Sequence, residues 1–177
     1  MQNNDHKFFV EINRNNYIFV IGIEQNDIFK IVYFETVPII GIEENKIQDL
    51  NLILNTFKEN IFKIEKKFNL TLKNATLILD NFDCSFTSFA GYKKLNGSQL
   101  VKENITYLLN LLKSKVVEIE KQKKIIHIFN SRFILDKKKI DNLPIGLFGN
   151  FYSHELTFFM INSMDHKNII NIFNKCN

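Results

Sequence analysis

The sequence predicts an α+β protein, in which antiparallel strands form small sheets and amphipathic helices pack on them. Three observations predict this class: a β-rich opening stretch, a helical apolar period that starts at Ile47, and a strand, helix, strand, strand order from about Leu77 onward. The chain has 177 residues, of which 45% are hydrophobic, with only 2 Pro and 6 Gly. It is therefore long enough to bury a core and too apolar to be disordered.

The opening stretch predicts an antiparallel meander. Residues 8–12, 17–23 and 28–34 are β-rich runs. Polar segments at 13–16 and 25–27 separate them and are typical of turns.

The next segment predicts a long amphipathic helix. Apolar residues recur at steps of three and four along one stripe: Ile47, Leu50, Leu54, Phe57, Ile61, Ile64 and Phe68. A coiled-coil seam remains an alternative, but the stripe is short, and packing against the sheet is favoured.

The second half predicts further strands and two more helices. We expect strands at 75–79, at 82–90 after a bend at residues 80–81, at 124–135 with a bulge near Asn130 and Ser131, and at 151–161. Ser98 is the predicted cap of a helix that ends between 114 and 120, and Asp165 is the predicted cap of a last helix through Phe173. Residues 141–150 form the predicted connecting loop.

Composition excludes several classes of protein. The net charge is +4, and the basic tracts 121–124 and 137–139 fall where turns are expected, so solubilising loop charge is favoured over contact with phosphate or lipid. Cys84 and Cys176 have no metal-ligand spacing and form no disulfide framework, which indicates a reducing cytoplasm. The start of the chain lacks the features of a signal peptide, and no apolar run approaches the ~20 residues that span a bilayer.

The histidines and aromatic residues favour structural roles. His127 lies in an apolar strand without a nucleophile or acid in a catalytic pattern, and His154 and Glu155 point to opposite faces of one strand. The 18 phenylalanines suggest base stacking, but Phe19, Phe57, Phe68 and Phe133 fall on stripes that the core requires. No Walker loop and no dinucleotide-binding glycine pattern is present. We therefore predict no nucleic-acid partner.

Three stretches, in order, resemble the bacterial cell-division family FtsA. Gly41-Ile42 with residues 47–49 is similar to the family's turn before its first long helix. Residues 125–128 and 133–136 are similar to its "isoleucine-leucine-histidine-valine" strand and the "tyrosine-x-leucine/valine-aspartate" that follows. Residues 144–149 resemble its proline–glycine–methionine–x–glycine loop, and residues 168–176 its asparagine-rich segment with a cysteine.

The resemblance implies a domain plan. Residues 1–80 would be part of an actin-like (ribonuclease H-like) subdomain, residues 81–164 an SHS2-type domain of strand, helix, strand, strand, and residues 165–177 a helix returning to the first subdomain. It also implies a cytoplasmic protein recruited to the inner face of the plasma membrane at the division site. Such a protein would bind partners of the division machinery and self-associate into filaments, with no direct membrane insertion by this chain.

The resemblance places two candidate sites. The helix at 98–115 and the loop residues Pro144, Gly146, Leu147, Phe148 and Gly149 would form an interaction surface. The family's aspartate-x-glycine-threonine phosphate loop corresponds to a turn that contains Glu11, Asn13, Arg14 and Asn15.

This turn has no glycine, and Arg14 adds bulk where backbone N–H groups would approach phosphate. We therefore predict a degenerate nucleotide site, no catalytic or metal residues, no cofactor (ATP and Mg²⁺ included) and no enzymatic activity. Two alternatives to an assembly module stay open: an ATP-binding actin-like ATPase, and a pilus-assembly relative with the same architecture. Calorimetry would test the first alternative and neighbouring genes the second.

Overall fold

The computed structural model of the chain describes residues 6–80 and 82–176. Its elements, in chain order, are β1 (His6–Ile12), β2 (Asn16–Gln25), β3 (Ile28–Pro38), β4 (Ile42–Glu43), β5 (Lys46–Ile47), α1 (Leu50–Phe68), β6 (Thr76–Leu79), β7 (Cys84–Lys94), α2 (Lys102–Ile119), β8 (Lys123–Leu135), β9 (Lys138–Ile140), β10 (Phe151–Asn162) and α3 (Ser163–Cys176). The predicted α+β class is confirmed. The described residues group into two compact units: unit 1 comprises those of 1–83 and 165–177, and unit 2 comprises Cys84–Met164.

Unit 1 is built on a four-stranded sheet in the order β3-β2-β1-β6. The first three strands form the predicted antiparallel meander, and β6 pairs with β1 in parallel. The turn between β2 and β3 places Asn26 and Asp27 at positive φ. A two-residue hairpin turn needs this backbone shape to match the right-handed twist of its two strands. The bend predicted at residues 80–81 falls partly on residue 81, which lies outside the described residues.

The core of unit 1 lies on one face of this sheet. Alternate residues of β1 and β2 are buried there, as the period of two predicts. The ring of Phe57, on α1, packs edge-on against Tyr17 and Phe19 of β2 and against Phe173 of α3, with centroids 5.2, 5.4 and 5.5 Å apart. The α1 stripe therefore packs on the sheet, as favoured, and does not form a coiled-coil seam within the described residues.

The predicted start of α1 was wrong. Ile47 lies in β5, which forms a small hairpin with β4, and α1 begins at Leu50. The hairpin turn holds Glu44 and Asn45 at positive φ, which an L-residue such as glutamate adopts only at a cost. Asp49 caps the helix: its Oδ1 accepts the N–H groups of Asn51 (2.9 Å) and Leu52 (3.1 Å).

Unit 2 is built on a second four-stranded sheet in the order β7-β10-β8-β9. The strand β10 is central and pairs antiparallel with both β7 and β8. The predicted bulge is confirmed, because the register shifts where Arg132 pairs with Glu155 and Asn130 pairs with Leu156, which leaves Ser131 unpaired with β10.

One face of the unit 2 sheet carries α2. Leu108, Leu112 and Val116 are buried at helical spacing, against alternate residues of β10 that are also buried. Gly91 of β7 makes room for the helix, because a Cβ there would lie 3.1 Å from Leu108 Cδ2. The opposite face leaves large apolar side chains exposed, among them Phe86 and Tyr92.

Two predicted helix caps were wrong. Ser98 precedes α2 by several residues; its N–H donates to Leu95 O in a turn, and the helix begins at Lys102. Asp165 lies inside the first turn of α3, and the Met164 N–H donates to Asn162 Oδ1 at 2.8 Å. In both cases hydrogen bonds in the turn before the helix place its first residue elsewhere than the predicted cap implies.

The basic tracts are only partly in turns. Asp136 and Lys137 form a two-residue turn at positive φ, but Lys138 and Lys139 belong to β9, a strand that was not predicted. Lys123 and Lys124 likewise open β8. The strand predicted at 124–135 thus starts one residue earlier than expected, and β9 was missed because the turn before it contains no glycine.

Within the described residues, no helix has the length and apolarity to cross a membrane. In the same part of the chain, no three histidine, cysteine, aspartate or glutamate side chains cluster in a way that could hold a metal ion.

Candidate functional site

The turn predicted as a nucleotide-site remnant closes on itself. Asn13 Oδ1 accepts the N–H groups of Asn15 (3.0 Å) and Asn16 (2.9 Å), and Asn13 Nδ2 donates to Glu11 Oε1 (3.2 Å). The Asn13 N–H donates to Asn16 O at 3.1 Å. The structure therefore brings Glu11, Asn13 and Asn15 together in an asparagine-closed turn that uses three of its own N–H groups.

Arg14 projects from this turn and is exposed. It makes no hydrogen bond or ion pair with any described residue, so its guanidinium is available to solvent. Asn15 is tied down instead, since its carbonyl oxygen accepts the Ile39 N–H at 2.8 Å. The turn therefore offers the exposed guanidinium of Arg14, whereas a phosphate loop offers several converging backbone N–H groups.

The second predicted site, the 144–149 loop, is held by a ladder of hydrogen bonds to residues 97–100. The Gly146 N–H donates to Leu100 O (2.9 Å), the Leu100 N–H to Leu147 O (2.8 Å), and the Gly149 N–H to Ser98 O (3.2 Å). Gln99 Nε2 adds a bond to Gly146 O at 2.7 Å. The loop is thus fixed by backbone pairing to the segment that leads into α2.

The five predicted loop residues divide into two groups. Pro144 and Gly149 are buried, and a Cβ at Gly149 would lie 2.7 Å from Leu135 Cδ1, so glycine is required there for packing. Gly146 has φ +89, which only glycine adopts readily. Leu147 and Phe148 are instead 49% and 71% exposed. Pro144, Gly146 and Gly149 therefore shape the loop, and Leu147 and Phe148 present an apolar surface.

Sequence reasoning missed two members of this surface. Ile145 is 51% exposed beside Leu147, and Gln99 supports the loop through its side chain. The available signal for Ile145 was its position between Pro144 and Gly146, inside the predicted loop. Gln99 lies 47 residues from Gly146, so nothing local in the sequence indicates their contact.

The predicted α2 side of this surface is also partly apolar. The helix begins right after Val101, which is 40% exposed, and Tyr107 is 53% exposed with Lys93 Nζ 4.7 Å from its ring centroid. An exposed ring under a cation still has its other face free for a partner.

His154 is the one buried histidine among the described residues. Its Nε2 lies 2.9 Å from Asn130 Oδ1, while its Nδ1 is buried without a hydrogen-bond partner. Burial lowers the pKa of His154, so the imidazole is neutral at pH 7, with Nε2–H donating to Asn130. As predicted, Glu155 points to the other face of the sheet, where its Oε2 lies 3.7 Å from Arg132 Nε. His127 is exposed and packs against Phe129, with ring centroids 4.5 Å apart.

Unit 1 contains a cavity of about 240 Å³ that the sequence did not indicate. Its lining is mainly apolar and includes Phe8, Ile61 and Phe173, together with Cys176. Burial raises the pKa of the Cys176 thiol, and the nearby Lys58 opposes this only in part. A thiol that stays protonated is a poor nucleophile.

No protein-family model matches the chain. Among curated proteins it is similar to three from Buchnera aphidicola, each named "Cell division protein FtsA". The protein of the strain from Acyrthosiphon pisum is 26% identical over 175 residues, which are 97% of this chain and 41% of that protein. Those of the strains from Schizaphis graminum and Baizongia pistaciae are 23% identical over 168 residues (94% of this chain, 40% of theirs) and 26% over 154 residues (87% and 36%).

The resemblance to FtsA that the motifs predicted is therefore confirmed. The chain spans about two fifths of the length of these relatives, so the similarity concerns one region of a longer protein.

Proposed function

We propose that the chain is an FtsA-like assembly module of cell division, which works through protein contacts in the cytoplasm at the division site. Two facts support this proposal: the similarity to FtsA covers almost all of the chain, and unit 2 presents exposed apolar side chains on a hydrogen-bonded loop. In this proposal unit 1 is a partial actin-like subdomain. Unit 2 is an SHS2-type domain, whose strand, helix, strand, strand order would be β7, α2, β8 and β10.

The observation that carries the proposal is the exposed side chain of Phe148. Phe148 is 71% exposed, so the chain alone does not gain the free energy of burying this side chain. The loop that carries it is already ordered by hydrogen bonds, so binding does not pay the entropy cost of ordering the loop. Aromatic anchors in the centre of an interface contribute much of the binding free energy. Ile145 and Leu147 would surround this anchor, and the partner would be a second copy of the chain or another division protein.

We expect Phe148→Ser to reduce self-association of the chain. Loss of an aromatic anchor costs about 2 kcal/mol or more, which raises the dissociation constant roughly thirtyfold. Sedimentation velocity over a concentration series measures this directly. The matched control is Phe86→Ser, which removes a ring of similar exposure (64%) from the open face of the unit 2 sheet.

An equal effect of the two substitutions would show that general stickiness, and not the 144–149 loop, drives association. A wild-type chain that stays monomeric at high concentration and retains no purified division protein would contradict the proposal itself.

The closed turn around Asn13 supports the further proposal that this chain neither binds nor hydrolyses ATP. Its N–H groups already have acceptors, so a phosphate would have to break the Asn13 bonds before it could be cradled. We expect isothermal titration calorimetry with Mg-ATP to show no binding. A dissociation constant below about 1 mM, or about −4 kcal/mol, that is weakened by Asn13→Asp but not by Asn171→Asp would favour the ATPase alternative.

A further inference from the structure

The outer edge of β8 is open along most of its length. The strand runs from Lys123 to Leu135, but β9 pairs only with residues 133–135. On the side away from β10, residues 124–132 therefore have no strand partner among the described residues. An edge of this kind presents a row of N–H and C=O groups that another strand can pair with.

A groove of about 390 Å³ follows this edge within unit 2. Six consecutive residues of β8, 123–128, line it, together with Lys113 and Val117 of α2. The pairing of β8 with β10 skips Ile126, which forms a second bulge, and the side chains before and after it alternate between the two faces of the sheet. Because residues from both faces line the groove, it runs along the edge of the strand. Lys113 and Val117, four residues apart, lie on one side of the helix and form the other wall.

The groove is basic and apolar. Its lining contains the lysines Lys113, Lys123 and Lys124 and no aspartate or glutamate. Lys123 is paired with Glu120 at 3.0 Å, but Lys113 and Lys124 make no ion pair or hydrogen bond with the described residues. Val117 and Ile126 are 55% and 42% exposed beside these charges.

We propose that this groove binds an extended, acidic and apolar peptide segment of a partner protein, which adds to the sheet as a strand beside β8. Main-chain bonds to the edge would supply register, and carboxylates would pair with Lys113 and Lys124. Valine-like side chains would cover Val117 and Ile126. This surface is distinct from the 144–149 loop and goes beyond the proposed function.

Charge favours this occupant over two others. A second copy of the same edge carries lysines and no aspartate or glutamate in its groove lining, so it would add positive charge and offer no carboxylates to Lys113 and Lys124. A nucleic acid would satisfy the charge but offers no main-chain donors and acceptors in a strand's spacing, nor aliphatic side chains for Val117 and Ile126.

The probe is a fluorescein-labelled eight-residue peptide made of two copies of valine-valine-glutamate-glutamate, which places both residue types on both faces of an added strand. Its binding to the full 177-residue chain is measured by fluorescence anisotropy. One comparison peptide has lysine in place of glutamate, and another has its two central valines replaced by proline, which cannot donate to a ladder. We expect binding of the first peptide only. Lys113→Glu/Lys124→Glu should weaken it at least tenfold and favour the lysine peptide.

The matched control is Lys102→Glu/Lys94→Glu, which makes the same charge change at the other end of α2 and on β7, and it should change affinity less than twofold. Phe148→Ser should leave peptide binding intact, which separates this inference from the proposed function. Circular dichroism checks that each variant is folded.

Several results would overturn the inference. These are no binding of the valine–glutamate peptide at 1 mM, equal binding of the proline or lysine peptide, and equal losses in the two double variants. Binding of an oligothymidine probe that the Lys113/Lys124 reversal abolishes would assign the groove to nucleic acid. A dimer that the same reversal strengthens would assign it to a second copy of the chain.

Discussion

His154 is a titratable side chain placed where charge is unfavourable. It lies in the core of unit 2 beside Phe133, with ring centroids 4.9 Å apart, and its ring has one polar partner among the described residues, the Asn130 side chain. Protonation would place a second N–H on the buried Nδ1, which has no acceptor among the described residues. The folded state therefore selects the neutral imidazole.

This selection predicts a loss of stability in acid. The folded pKa of His154 is lowered by burial, so the unfolded chain binds the proton more readily. Its stabilising contribution is fully present above the unfolded pKa of about 6.5 and is lost as the pH falls from that value through the lower folded pKa. Thermal unfolding between pH 7.5 and 5 should show a decline in Tm that His154→Gln flattens.

The comparison for this prediction is His127→Gln, at an exposed histidine of β8. It should leave the pH profile of Tm close to that of the wild type. If both substitutions flatten the profile equally, burial of His154 is not its cause.

At the scale of elements, helix starts are fixed by capping groups that bind local N–H groups. Asp49 gives α1 two such bonds, whereas Val101 at the start of α2 has no side-chain acceptor, and Asn104 Oδ1 accepts its N–H instead at 3.1 Å. The α2 start depends more on the backbone ladder to the 144–149 loop.

We expect Asp49→Ala to lower the free energy of unfolding by about 1 kcal/mol, because the N–H groups of Asn51 and Leu52 lose their acceptor. Asp49→Asn keeps a side-chain oxygen in the same place and should stay within a few tenths of a kcal/mol of the wild type. Urea denaturation followed by circular dichroism measures both. Equal losses would show that charge at the helix start matters more than the cap bonds.

The elements that sequence reasoning located correctly are those with a strong period. The meander and the α1 stripe follow periods of two and of about three and a half, and the bulge at Ser131 coincides with a polar pair inside a strand. The β4–β5 hairpin and β9 were missed because their turns place Glu44 and Lys137 at positive φ without a glycine to mark them.

The candidate sites likewise contain some features that the local sequence predicts and others that it does not. The loop residues could be predicted because proline and glycine restrict backbone shape. The contact of Gln99 with Gly146 and the open edge of β8 depend on long-range pairing, which no local pattern specifies. The bonds inside the Asn13 turn could be anticipated, since asparagine often closes such turns.

At the scale of the whole chain, unit 2 begins and ends on neighbouring strands. Cys84, at the start of β7, pairs across the sheet with Ile161 near the end of β10. Its buried clusters draw only on residues of that unit. These features are typical of a segment that can fold alone, because its ends meet and its core is its own.

We therefore expect residues 84–164, expressed alone, to unfold cooperatively in urea with the circular dichroism of a mixed α/β domain. Leu108→Ala in the same fragment should cost about 2–5 kcal/mol, since Leu108 is fully buried against the sheet. A fragment that unfolds without cooperativity, or that tolerates Leu108→Ala, would show that the unit requires the rest of the chain.

The central position of β10 has a consequence for synthesis on the ribosome. The strands β7 and β8 flank β10 and are translated first, so neither can pair with β10 until residues 151–162 have left the exit tunnel. Until then α2 has only an incomplete surface to pack on, and the nascent unit exposes apolar side chains. Completion of this sheet therefore waits for β10, the last of its four strands to be made.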